Sequence, residues 1–133
     1  MTWLLIFTES KTKENLMRAF AGESQARNRY TFAAEQCRRE GMQSIGGIFL
    51  YTADQELAHA RRFYELLKPE TGTTIFIDGS YPVDEPGSVQ DLLQAAAHNE
   101  NEEAVDVYPA FARIAKEEGF LRGSIYIYAD CRD

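Results

Sequence analysis

Glu56 and His59 lie three positions apart in a segment that the sequence predicts to be helical. Side chains with this spacing share one face of a helix, so the carboxylate and the imidazole can approach the same ion. Three more acids, Glu23, Glu100 and Glu103, lie on the predicted inward faces of two other helices. Carboxylate oxygens with an imidazole nitrogen suit iron or manganese, and carboxylates can bridge two metal ions. The pattern therefore predicts a metal site inside a helical bundle.

Two of these acids also have a simpler interpretation. Glu103 ends a polar run at 98–103, and a charged run is commonly a solvated helix face. Glu23 can instead form an ion pair with Arg27, one helical turn further on. The metal hypothesis depends on the joint pattern, because a carboxylate in a dry core costs several kcal/mol unless it is paired, protonated or bound to metal.

Three further polar residues lie near the acids along the predicted helices. Tyr30 and Tyr108 fall on or beside the inward faces, one or two turns from the acids. Two interpretations stay open for them: tyrosines that pack the core, or hydroxyl donors that orient metal ligands. His98 has no partner on an inward face and is predicted to lie on the surface.

The periodicity of apolar residues predicts an all-α chain. Apolar positions recur in steps of four and three over three long helices at about 13–40, 43–68 and 89–118. On the third helix the predicted inward face runs from Val89 through Leu93 to Glu100 and Glu103. Gly41, Pro69 and Gly119 mark the ends of these helices, and Pro109 predicts a kink or break within the third. Residues 120–133 are expected to form a short fourth helix.

The segment 69–87 is too long for a tight turn between helices, and it contains a short strand-like run, Thr74–Ile77. It suits the long crossover between helices 2 and 3 of a ferritin-like four-helix bundle. We divide the chain into an N-terminal segment, 1–12, and a bundle domain, 13–133. The apolar run at 3–7 is too short to span a membrane and lacks the features of a signal peptide, so we expect it to be docked or frayed.

Composition limits the classes of function. The chain has 133 residues, the length of one domain, and 44% of them are hydrophobic. Its net charge of -7, without a basic block, argues against a nucleic-acid partner. Cys37 and Cys131 form no C-x-x-C motif, and their number indicates a reducing compartment, so we expect a cytoplasmic protein with no membrane partner.

Three segments resemble the helices of rubrerythrins. The first is KENLMRAFAGESQARNRY at 13–30, the second TADQELAHARRF at 52–63, and the third LLQAAAHNENEE at 92–103 with YPAFA and EEGF following it. The resemblance covers about residues 13–120. It implies a ferritin-like four-helix bundle with a non-haem di-iron centre that reduces hydrogen peroxide to water in the response to oxidative stress.

The resemblance also assigns roles to residues. It implies that the iron ligands are Glu23, Glu56, His59, Glu100 and Glu103. Glu103 and His59 would be the catalytic pair, exchanging places on one iron as its oxidation state changes. Tyr30 and Tyr108 would donate hydrogen bonds to the ligands.

Two features depart from the family pattern. No paired C-x-x-C motifs of a rubredoxin domain occur, so electrons are expected from a separate donor such as a rubredoxin-like protein. The second E-x-x-H of the family would fall just past Asp133, and the chain diverges from about Leu121. We therefore expect a weakened site with one iron or none, and ends altered by truncation or a frameshift, which sequencing of the gene beyond codon 133 would test.

Two alternative functions follow from that gap. The chain could bind iron in a ferritin-like way with little turnover, or form a metal-free structural bundle. A short fourth helix would also leave an apolar groove, which favours a homodimer or a higher homo-oligomer.

Overall fold

The computed structural model describes residues 3–85, 87–123 and 127, with side chains from residue 6 onward. The α-helices are α1 (Trp3–Thr8), α2 (Lys11–Arg39), α3 (Gln43–Leu66), α4 (Val89–Glu102) and α5 (Tyr108–Glu117). A 3₁₀ turn, Lys68–Glu70, follows α3, and a π-helical segment, Glu103–Val107, joins α4 to α5. No strand occurs among the described residues, which confirms the prediction of an all-α chain.

Helices α2 and α3 form an antiparallel pair. The rings of Tyr30 and Phe49 lie 6.0 Å apart near one end, and those of Phe20 and Tyr64 lie 4.7 Å apart near the other. Helix α2 begins at Lys11 rather than at residue 13, because Ser10 Oγ accepts a hydrogen bond from the Lys13 N–H and caps the helix.

The connection from α3 to α4 is long, as predicted for the crossover. Thr74–Ile77 has no regular secondary structure, so the strand-like interpretation was wrong; no partner strand exists among the described residues to pair with it. Two polar contacts attach the crossover to the helices. Arg18 forms an ion pair with Asp78 at 2.9 Å, and Asn99 Nδ2 donates to Asp84 Oδ2 at 2.9 Å.

The apolar core consists of two clusters, one on each side of the predicted acids along the helices. The first cluster includes Leu16, Phe63 and Tyr108, and the second includes Ala26, Ala53 and Leu92. In α2, α3 and the α4–α5 unit, the predicted acids and His59 fall between the residues of these clusters in the sequence. The three helices thus contribute to one polar layer enclosed by apolar layers.

The predicted third helix is interrupted just before Pro109, which the sequence predicted to kink or break it. The Pro109 nitrogen has no hydrogen to donate to the carbonyl four residues earlier, and the chain forms the π-helical segment immediately before it. One detail of the predicted inward face was wrong. Leu92 is buried and Leu93 is exposed, so the buried face steps from Val89 by three residues rather than four.

Both ends of the described chain contact the first cluster. Phe7 of α1 is buried, and its ring meets that of Phe120 edge-on at 5.4 Å, so this part of the N-terminal segment is docked. Residues 121–123 are helical, and Ile127 is helical and buried. The rest of the predicted fourth helix lies outside the described residues. The helices that are described are all too short or too polar to span a membrane.

The start of α2 is also held by the end of α5. The Glu118 carboxylate accepts hydrogen bonds from the Lys11 N–H at 2.9 Å and the Thr12 N–H at 2.8 Å, and from the Thr12 hydroxyl. The two N–H donors belong to the first turn of α2, and the first turn of a helix leaves its N–H groups without a partner in the helix. A carboxylate here also interacts favourably with the helix dipole.

We predict that Glu118→Gln lowers the free energy of unfolding by about 1 kcal/mol, because an amide accepts fewer hydrogen bonds and carries no charge. Urea unfolding followed by circular dichroism measures the change. Glu117→Gln is the matched control, since the neighbouring side chain is exposed. Equal stability of the two variants would contradict the role given to Glu118.

Candidate metal centre

Three of the predicted ligands come together between α2 and α3. Glu23, Glu56 and His59 each place a ligand atom within 4.8 Å of the others, the only such group of acids, histidines and cysteines among the described residues. Glu23 is 2% exposed and Glu56 is 4% exposed. Both carboxylates therefore lie in the core.

Glu23 has one satisfied and one unsatisfied oxygen. Its Oε1 accepts a hydrogen bond from the Tyr108 hydroxyl. Its Oε2 is buried and has no hydrogen-bond partner, and His59 Nδ1 lies 3.5 Å from it. The alternative pair with Arg27 is absent, and the buried Arg27 Nε also has no hydrogen-bond partner.

Burial and mutual repulsion separate the pKa values of the two buried acids. Burial, the close contact with the Glu23 carboxylate and the negative charge of Glu23 raise the pKa of Glu56 to about 11. Burial also acts to raise the pKa of Glu23, but its contacts with His59, Glu56 and Tyr108 outweigh this and hold that pKa below its usual value. Without metal, Glu56 is neutral and Glu23 is ionised at pH 7.

Glu100 and Glu103 lie outside this group of three but are close enough to act on it. Their charges both contribute to the raised pKa of Glu56. Glu100 is exposed, whereas the sequence predicted it on an inward face, and its Oε1 accepts a hydrogen bond from the Tyr30 hydroxyl at 2.6 Å. Burial, followed by the charges of Glu23 and Glu100, raises the pKa of Glu103 to about 8.

Tyr30 and Tyr108 combine the two interpretations that the sequence left open. Both are buried members of the apolar clusters, and each hydroxyl donates to a predicted ligand. Burial and the adjacent carboxylates raise the pKa of both hydroxyls, so they stay protonated donors. The His98 side chain is 74% exposed, as predicted for a surface residue.

A polar group that the sequence did not predict lies beside Tyr30. The Arg29 guanidinium lies 5.5 Å from the Tyr30 ring centre and 3.8 Å from Asp84 of the crossover. Arg29 is also among the charges that act on Glu103. No helical spacing connects Arg29 to Asp84, so periodicity gave no signal for this group.

The donor set fits a transition-metal ion. An unpartnered, buried carboxylate oxygen beside a second carboxylate and an imidazole is costly in a metal-free core, and a cation would offset that cost. Oxygen donors with one nitrogen suit iron or manganese. Glu23, Glu56 and His59 thus form the centre of the candidate site, with Glu100 and Glu103 at its edge.

Comparison with known proteins identifies similar chains. The rubrerythrin family model matches residues 14–124. Rubrerythrin of Porphyromonas gingivalis is 51% identical over 111 residues, which is 84% of this chain and 54% of that protein. Rubrerythrin-1 of Clostridium acetobutylicum is 50% identical over 113 residues, or 84% of this chain and 57% of that protein. The chain spans little more than half the length of these relatives.

Solved structures show the same fold. Nigerythrin in a mixed-valence state superposes with a TM-score of 0.76 at 34% identity, covering 90% of this chain and 60% of that chain. Nigerythrin in a fully reduced, all-ferrous state gives the same values. These similarities confirm the predicted ferritin-like bundle.

We predict that the metal-free protein loses stability as pH rises from about 5 to 8. Over this range Glu56 and Glu103 ionise in the unfolded chain but retain protons in the folded chain, so the folded state binds more protons. Each such proton contributes a slope of at most about 1.4 kcal/mol per pH unit. Urea unfolding at several pH values, after chelation of metal, measures the slope.

Glu56→Gln should flatten this dependence and stabilise the metal-free protein at pH 8, because the amide resembles the neutral acid. Glu65→Gln, at an exposed position of the same helix, is the control and should keep the wild-type slope. A Glu56→Gln profile as steep as that of the wild type would refute the assignment of the proton to Glu56.

Proposed function

The chain belongs to the rubrerythrin family, and from that premise we propose that it reduces hydrogen peroxide to water at a non-haem di-iron site. The overall reaction consumes two protons and two electrons for each peroxide and yields two water molecules. The observation that carries the proposal is the buried Glu23 Oε2, which has no hydrogen-bond partner and faces His59 Nδ1 beside Glu56.

Five residues would hold the irons: Glu23, Glu56, His59, Glu100 and Glu103. Iron held by these residues would supply the redox chemistry, donating the two electrons that peroxide reduction consumes. The family resemblance implies that Glu103 and His59 would exchange places as ligands of one iron when its oxidation state changes. That exchange and the number of irons stay predictions.

The chain's own residues would manage protons and ligand orientation. Glu103 retains a proton at neutral pH without metal, because burial and the charges of Glu23 and Glu100 raise its pKa to about 8. The Tyr108 hydroxyl holds Glu23 Oε1, and the Tyr30 hydroxyl holds Glu100 Oε1. Such hydrogen bonds restrict the rotation of ligand carboxylates before metal binds.

Electrons would come from a separate protein, such as a rubredoxin-like donor, in a reducing cytoplasm. The net charge of -7 attracts cations such as ferrous iron but does not separate this function from simple iron binding. Association into a homodimer or higher oligomer also stays a prediction.

The test is to load the protein with ferrous iron without oxygen, measure iron per chain, and then add peroxide. We expect at least one bound ion per chain and rapid oxidation by peroxide, with turnover when a reductant is present. His59→Ala should weaken iron binding at least about tenfold, because it removes the imidazole. His98→Ala, an exposed histidine, is the matched control and should bind iron normally.

Three results would contradict the proposal in different ways. Iron binding without peroxide-dependent oxidation would favour the ferritin-like alternative. Absence of bound iron would favour the metal-free bundle. Equal iron binding by His59→Ala and His98→Ala would place the iron elsewhere.

A further inference from the structure

A cleft of about 240 Å³ lies between the crossover and the polar layer. Glu103 and Tyr108 lie at its more buried side, and Tyr81, Pro82, Val107 and Phe111 form much of its wall. Glu103 is a predicted iron ligand. The Tyr108 hydroxyl donates a hydrogen bond to Glu23, which is also a predicted iron ligand. The cleft therefore connects the candidate metal centre with the surface.

Contacts with α2 hold Tyr81 in place in the wall of the cleft. A methyl group at Gly22 would lie 3.6 Å from the Tyr81 ring, an ordinary van der Waals contact, so the ring packs directly over this part of α2. The Tyr81 hydroxyl donates a hydrogen bond to the Arg18 carbonyl at 3.4 Å, and the Arg18–Asp78 ion pair holds the same part of the crossover. Three contacts thus fix this side of the cleft.

The cleft is larger than hydrogen peroxide requires. A water molecule takes roughly 30 Å³ of liquid volume, and an engineered apolar cavity of about 150 Å³ accepts benzene. The side chains of Val107, Phe111 and Pro82, with the Tyr81 ring, would otherwise border water. A small apolar group attached to a peroxide would displace that water favourably.

We propose that this cleft binds organic hydroperoxides, with the apolar substituent against Val107 and Phe111 and the O–O group toward Glu103. The inference deepens the proposed peroxide reduction and rests on it for the chemical step. There the O–O bond breaks, two electrons come from the iron site and its protein donor, and two protons are consumed. The products are the corresponding alcohol and water.

Val107 sets the size of the substituent that the cleft accepts. It is 37% exposed and lines the cleft, whereas Val105 of the same π-helical segment is 61% exposed and does not. A phenylalanine at position 107 would occupy the part of the cleft in which the apolar substituent of the hydroperoxide is proposed to lie. The same change at 105 would add equal bulk outside the cleft, which makes it the matched control.

The first test uses metal-free protein and 2-phenyl-2-propanol, the alcohol formed from cumene hydroperoxide. Titration followed by the NMR signals of the tyrosine rings and by calorimetry measures binding without iron. We expect the wild type to bind the alcohol, Val107→Phe to bind it at least about tenfold more weakly, and Val105→Phe to match the wild type. Tyr81→Ala, which removes the opposite wall, should also weaken binding.

The second test uses iron-loaded protein and compares kcat/KM for cumene hydroperoxide with kcat/KM for hydrogen peroxide. Val107→Phe should lower this ratio at least about tenfold, and Val105→Phe should leave it unchanged. Failure of the alcohol to bind wild type, equal loss in both valine variants, or turnover of hydrogen peroxide alone would each overturn the inference.

The two proposals fail in distinguishable ways. Turnover of neither peroxide would overturn the proposed function and, with it, the reduction of organic hydroperoxides. Binding of the alcohol to metal-free protein is independent of iron, so the assignment of the cleft as its binding site is decided by the first test alone.

Discussion

The fold depends on burying two carboxylates side by side. Two negative charges about 4 Å apart repel by roughly 4 kcal/mol even at an effective dielectric constant near 20. The metal-free protein avoids this by keeping a proton on Glu56 while Tyr108 and His59 stabilise the charge on Glu23. These partners come from α2, α3 and α5, so the three helices must meet at one level. The requirement fixes their register more tightly than apolar packing alone, which tolerates exchange of similar side chains.

The sequence predicted this layer because acids interrupted otherwise apolar helix faces. Glu23, Glu56 and His59 were correctly placed together by helical spacing. Periodicity could not choose between Leu92 and Leu93, since both are leucines and steps of three and four are equally compatible with a helix. The inward face chosen from Leu93 led to Glu100, which the structure instead leaves exposed at the edge of the layer.

The contacts of the crossover could not be predicted from periodicity, because an irregular segment has none. Its Asp84 lies 3.8 Å from Arg29 and accepts a hydrogen bond from Asn99. Arg29 directly precedes Tyr30 in the sequence, and Asn99 directly precedes Glu100. Tyr30 and Glu100 are the two residues joined by a hydrogen bond. The crossover thus ties α4 to α2 at the level of the acids, and the segment that looked least ordered in sequence helps to hold Glu100 in place.

The π-helical segment explains how Glu103 and Tyr108 can serve the same site. Residues five apart in a regular α-helix point about 140° away from each other, since each residue turns the chain by about 100°. In the π-helical segment the Tyr108 N–H bonds to the Glu103 carbonyl, so each turn holds more residues and the two side chains are turned less far apart. Both side chains then face α2, where Tyr108 reaches Glu23 and the charge of Glu23 acts on Glu103. Pro109 favours this wider turn by removing an α-helical donor, which connects one proline to the geometry of the polar layer and to the cleft wall at Val107.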